Sequence, residues 1–197
     1  MSKKLKYLVI HVSDTPFGRP VTNDDLFFWH RFPAKNANGT YTYKGKKYSS
    51  LSALPDDSFI INGTKLSIRK HTTGRGWSVE GYSDKINHDG TLQNIRPYNT
   101  DGFVDAWEVT NGVAGQNSVA RHVVIAGGWT KDGKKSGKFE LTEIFSQPQI
   151  DQLIEYIKMI REIWPDIIIK GHYEFDKGKT CPNFDVPKFL KSIGINQ

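Results

Sequence analysis

The stretch "SQPQIDQLIEYIKMIREIWPDIIIKGH", residues 146–172, decides the fold class. Ser146 and Gln149 stand at capping-box spacing and Pro148 lies in the first turn. Ile150, Leu153, Ile154, Ile157 and Ile160 then recur at helical spacing until Pro165 stops the pattern. Immediately afterwards "DIIIKGH" (166–172) is a short β-branched run, the pattern of a buried strand, and it delivers His172 to the strand's end. A helix with one apolar stripe followed at once by a buried strand predicts a sheet covered by helices.

Working outward, "KYLVIHVSDT" (6–15) is a second buried strand, with His11 near its end, and "NSVARHVVIAGG" (117–128) is a third, interrupted by His122. "SDKINHDGTLQNI" (83–95) predicts a hairpin that turns at "HDGT" and leaves His88 at an exposed tip. "TNDDLFFWHRF" (22–32) predicts a short helix capped by Thr22 or Asn23, with His30 a helical rather than a ligating histidine. From about 32 to 76 the residues turn to Gly, Asn, Ser, Thr, Tyr and Lys in short alternating runs, which predicts a hairpin-rich insertion without a core of its own. "DVPKFLKSIG" (185–194) predicts a terminal helix with Asp185 as cap and Gly194 as stop. The expectation is one α/β domain over residues 1–197, a single mixed central sheet flanked by helices, with the insertion at about 32–76.

"GHYEFDKGKTCPNF" (171–184) carries the chemistry. It sets His172 close to Cys181, the one cysteine among 197 residues, with Lys179 between them. A lone cysteine forms no internal disulfide, which leaves packing, a reactive thiol or a metal ligand. Imidazole and thiolate both suit zinc, and a catalytic zinc needs three protein ligands and an open position. The third ligand has to come from elsewhere in the chain: His11 is the natural candidate, and His122, inside an apolar strand, is its competitor. The formal net charge of +6 comes from scattered lysines in loop-like segments, a pattern of solvated surface rather than of nucleic-acid binding, and it suits an anionic polymer such as cell wall equally well. No apolar run approaches the roughly 20 residues of a membrane span, and the amino terminus does not read as a signal peptide.

"VIHVSDT", "GWSVEGYSDKINHDGTL", "NSVARHVVIAGG" and "GHYEFDKGKTCPNFDV" occur in the order and with the character of segments in the type-2 N-acetylmuramoyl-L-alanine amidases. The chain resembles most the phage lysozyme-type zinc amidases, whose domain is shared with animal peptidoglycan recognition proteins. The resemblance spans about three-quarters of the chain and implies their fold. It implies Zn2+ held by His11, His172 and Cys181, with Tyr82 and Lys179 as catalytic groups, and it assigns His122 no role. Ser83 stands where the family has a histidine. Val124 and Ala126 occupy the strand in which one branch of the family uses a glutamate.

The implied activity is hydrolysis of the amide between N-acetylmuramic acid and L-alanine in peptidoglycan or muropeptides, by a monomeric phage or prophage-type lysin. Such a lysin would be cytoplasmic as synthesised and act on the wall after release, with no membrane or nucleic-acid partner. The alternatives are a cytosolic muropeptide-recycling amidase and a non-catalytic wall-binding module of the same fold. Such modules often lack the third ligand, which is present here as Cys181. The absence of H-E-x-x-H and of H-x-E with P-C-x-x-C argues against the common metalloproteases and the zinc deaminases.

Overall fold

The computed structural model describes residues 2–197. The described chain divides into two compact units, Thr22–Gly81 and the remainder.

The remainder is built on a five-stranded mixed sheet, whose strands we label β1 (Tyr7–Val12), β2 (Asp84–Ile86), β3 (Leu92–Asn94), β4 (Ala120–Ile125) and β5 (Ile168–Gly171). Their order is β5-β1-β4-β2-β3, parallel throughout except for β3, which returns antiparallel from β2. β1 and β4 are buried nearly throughout, and so read as continuous apolar runs rather than alternating ones. The helix Gln147–Ile163 closes one face with Ile150, Leu153, Tyr156, Ile157 and Ile160, packed in one cluster with Leu8, Ile10, Ile86, Val123, Ile125 and Ile169. Ser146 accepts a hydrogen bond from the Gln149 N–H, as the capping-box spacing predicts. Tyr156 also ties this helix to the sheet, its hydroxyl donating to Asp84 Oδ2 at 2.8 Å in a buried contact. Burial raises the Asp84 pKa, partly offset by hydrogen bonds from Asn94 and Tyr156. The terminal helix Val186–Ser192 adds Val186, Phe189 and Leu190 to the same cluster; its cap is Asp185, which accepts from the Lys188 N–H.

Side chains alternate across a strand, so Val9 and His11 of β1 and His122 and Val124 of β4 point to the opposite face. Register matters here, because His11 pairs with Val124 while His122 pairs with Val9, two residues earlier. His88 departs from the sequence expectation. It is half-buried rather than an exposed tip, with its ring edge-on to Phe17 at 5.3 Å.

The unit Thr22–Gly81 starts with the helix Asn23–Arg31, capped by Thr22 in a reciprocal box with Asp25. A three-stranded antiparallel sheet (Ala34–Lys35, Tyr41–Tyr43, Lys46–Tyr48) and a hairpin (Ser58–Ile61 with Thr64–Ser67) follow. Both tight turns need two residues at positive φ, supplied by Lys44–Gly45 and Asn62–Gly63. The expected hairpins are there, but the expected absence of a core is corrected. Phe32, Tyr43, Leu54, Ile61 and Ile68 form a buried cluster, with Phe27, Phe28 and Phe59 packed on it. The unit also extends beyond the expected 32–76, because the Asn23–Arg31 helix packs on its Ser58–Ile61 strand.

Candidate metal centre

His11 lies one residue before the carboxyl end of β1, and His172 follows directly on β5, the parallel neighbour of β1. Gly171 pairs with Ile10, so the two histidines reach the same level at the carboxyl edge of the sheet, where sites in open parallel sheets are built. Their rings lie 4.9 Å apart, edge to face.

Cys181 is brought in by the loop that follows the His172–Glu174 turn. The Tyr173 N–H donates to the Cys181 carbonyl at 3.0 Å, and the Tyr173 hydroxyl accepts from the Val186 N–H at 3.2 Å, which ties both ends of the loop. Glu174 braces the turn, accepting from the Gly171 N–H at 2.7 Å and from Lys170 Nζ at 3.2 Å. Asp176, the other acid of this segment, is exposed and accepts from the Gly178 N–H.

The donor atoms of His11, His172 and Cys181 all lie within 4.8 Å of one another, and these three form the one His/Cys/Asp/Glu group of this kind among the described residues. Cys181 Sγ is 3.8 Å from Nδ1 of His11. Bonds of about 2.1 Å to nitrogen and 2.3 Å to sulfur at a tetrahedral angle set those atoms about 3.6 Å apart, so the spacing fits zinc with little adjustment. Two imidazoles and a thiol are also the donor set that a borderline-soft ion prefers.

Burial pushes the Cys181 thiol up to about 12, against the smaller opposing effects of the Val12 N–H and the Lys179 charge; Asp14 raises it further. A thiol in this state needs a cation beside it to become a thiolate ligand. The Val12 N–H, which donates to Sγ at 3.3 Å, is directed at that sulfur.

Of the two expected catalytic groups, Tyr82 is half-buried with its ring 5.1 Å from that of His11. Lys179 is exposed, its backbone N–H turned in toward Asp176 at 3.0 Å. The competitor histidine, His122, is not in the three-donor group. It is fully buried, its Nδ1 faces Nε2 of His11 at 3.1 Å, and the two rings are 5.3 Å apart. Burial, then the neighbouring His172 and Arg121 charges, lower its pKa to about 3, so it is neutral at ordinary pH. The family resemblance names the three residues of this group, and neither it nor the residue pattern points to the His11–His122 contact. The signal available was an imidazole interrupting an apolar strand, which packing alone also explains.

Trp129 donates from Nε1 to Asp14 at 2.8 Å and stacks under the Lys135 ammonium at 4.3 Å, beside the strand end that carries His11. Trp107 is exposed, and Trp77 stacks on His30 within the Thr22–Gly81 unit.

No protein-family profile and no curated protein sequence matches this chain. Solved structures do. The chain is similar to the Ph2119 endolysin of a Thermus scotoductus bacteriophage, at 16% identity and TM-score 0.53, covering 99% of this chain and 88% of that one. It is similar to the N-acetylmuramoyl-L-alanine amidase LysC of Clostridium intestinale, at 16% identity and TM-score 0.55, covering 100% and 91%. It is also similar to Drosophila PGRP-LB, at 16% identity and TM-score 0.53, covering 98% and 85%. At such identity the likeness establishes a shared fold, the mixed α/β amidase and peptidoglycan-recognition fold expected from the sequence.

Proposed function

We propose that the protein is a zinc-dependent N-acetylmuramoyl-L-alanine amidase of phage or prophage type, acting as a monomer on peptidoglycan or its muropeptides. The observation that carries the reading is the His11, His172 and Cys181 group, three donors of zinc chemistry within 4.8 Å at the carboxyl edge of the sheet. The fold supports it, since its solved examples include a phage endolysin and an amidase named for this bond. The lysin role rests on the "GYSDKI" and "KTCPNFD" segments.

His11, His172 and Cys181 would hold the ion, which supplies Lewis-acid polarisation and lowers the pKa of water. The remaining chemistry falls to this chain's own residues. Water adds to the lactyl carbonyl, the C–N bond breaks, and a carboxylate and the amino group of L-alanine are released. In this reading the Lys179 ammonium and the Tyr82 hydroxyl stabilise negative charge growing on the carbonyl oxygen. Removal of one such donor typically costs about 3 to 4 kcal/mol in the transition state. Tyr82, whose ring lies beside that of His11, also offers a phenolic O–H to the departing amine.

The test is metal dependence. Protein purified without chelator should carry one zinc per chain, lose activity on chelation and regain it with added zinc. Cys181→Ser should lower both zinc content and turnover, because serine offers no thiolate. A fully active metal-free protein, or a Cys181→Ser variant with normal zinc and normal rate, overturns the proposal.

A further inference from the structure

We propose that His122 is the positioning residue of the metal centre, accepting a hydrogen bond from Nε2–H of His11 and so holding the His11 ring with its Nδ1 lone pair toward Cys181 and His172. The inference rests on the metal-site reading above and extends it to a residue that touches neither ion nor substrate.

Geometry comes first. His11 turns Nδ1 to the thiol at 3.8 Å and Nε2 to His122 Nδ1 at 3.1 Å. A neutral imidazole carries one proton. If Nδ1 binds a cation, that proton is on Nε2, and the atom facing Nε2 must be an acceptor. His122 Nδ1 is that atom, which places the His122 proton on its own Nε2. The opposite arrangement, with His122 Nδ1–H donating to His11, puts a proton on His11 Nδ1 and blocks the ligand position. The His11–His122 pair therefore has two proton arrangements; one of them accepts a metal, and it leaves the buried His122 Nε2–H without a partner among the described residues.

His122 is also held in place. It is fully buried, and Gly112 lies against its ring so closely that a Cβ there would sit 2.3 Å from Nδ1 and 2.4 Å from Cγ. The Gly112 backbone is not in the left-handed region, so the missing side chain gives room to the imidazole rather than freedom to the backbone. Strand register does the rest: pairing Val9 with His122 and Val124 with His11 sets both rings on one face, offset by two residues. Ligating histidines commonly donate their second N–H to a carboxylate or carbonyl that fixes tautomer and orientation, and here a second imidazole fills that place.

Two readouts test this without using turnover. The first is zinc affinity, by competition with a chromophoric chelator. His122→Leu, which removes the acceptor, should bind zinc roughly 10- to 100-fold more weakly, the loss typical of removing such a partner. His122→Asn, whose amide oxygen falls near the Nδ1 position, should recover most of the affinity. The second readout uses the wild-type protein and so does not depend on a variant folding. In a nitrogen-15 histidine spectrum of the zinc-loaded chain, His11 should show a protonated Nε2 and a metal-shifted Nδ1, with His122 Nδ1 unprotonated. Wild-type affinity in a folded His122→Leu, or a proton on His122 Nδ1 in the loaded protein, overturns the inference. His11→Ala separates the levels: if it binds zinc as tightly as the wild type, the metal centre itself fails and takes this inference with it. If His11→Ala loses zinc while His122→Leu does not, the inference alone fails.

Discussion

Cys181 and His122 show what single residues disclose. Cys181 is legible in the sequence as a candidate ligand, because a lone thiol nine residues after a histidine, with lysine before it and proline after it, admits a metal-binding reading beside packing and a reactive thiol. The partnership of His122 with His11 is not legible, since it depends on a parallel register between strands more than a hundred residues apart. Tyr82 and Lys179 stand between these cases: the family resemblance singles them out, and the structure sets the Tyr82 ring 5.1 Å from that of His11 and leaves Lys179 exposed. Groups that act on charge present mainly in the transition state should affect kcat more than KM. Tyr82→Phe and Lys179→Ala should therefore keep one zinc per chain and bind insoluble wall normally, yet lose about a hundredfold or more in kcat on a soluble muropeptide. Near-normal kcat in both variants, measured beside zinc content, removes the pair from the mechanism.

Elements with a strong period were legible, and elements held by scattered contacts were not. The helix Gln147–Ile163 follows its isoleucine stripe, Ser146 cap and Pro165 stop. The core of Thr22–Gly81 escaped because Phe32, Tyr43, Leu54, Ile61 and Ile68 come one or two at a time from short pieces, none of which shows a period long enough to mark a buried face. His30 of the Asn23–Arg31 helix belongs to this unit; it stacks on Trp77, and its Nδ1 accepts from the Gly81 N–H at 3.2 Å. Burial, reinforced by the Arg75 charge, lowers its pKa from 6.5 to about 3. The folded state therefore resists a proton that the unfolded chain takes up near pH 6.5. The stability from neutral His30 is fully present above that pH and lost as pH falls toward the folded value, by up to about 1.4 kcal/mol per pH unit. Denaturant unfolding followed by tryptophan fluorescence should show a steeper loss between pH 6.5 and 4 in the wild type than in His30→Gln. Parallel pH profiles for the two proteins contradict this assignment.

For the whole molecule, alternation of apolar strands and amphipathic helices announces an α/β architecture, but the strand order β5-β1-β4-β2-β3 is not written in any one segment. It follows from crossovers that pair the first strand with the last, and this pairing is what joins His11 to His172. Thr22–Gly81 is inserted between β1 and β2, and all five residues proposed for catalysis lie outside it. The proposed reactive part of the molecule is thus the sheet edge, and its proposed target is one bond, the amide between N-acetylmuramic acid and L-alanine. Mass spectrometry of the products released from purified sacculi tests that most directly. The expected products are stem peptides with a free L-alanine amino terminus and glycan strands whose muramic acid keeps a free lactyl carboxylate, with release abolished by chelation and restored by zinc. Cleavage within the glycan or inside the stem peptide, or no cleavage by the zinc-loaded protein, would contradict the proposed target.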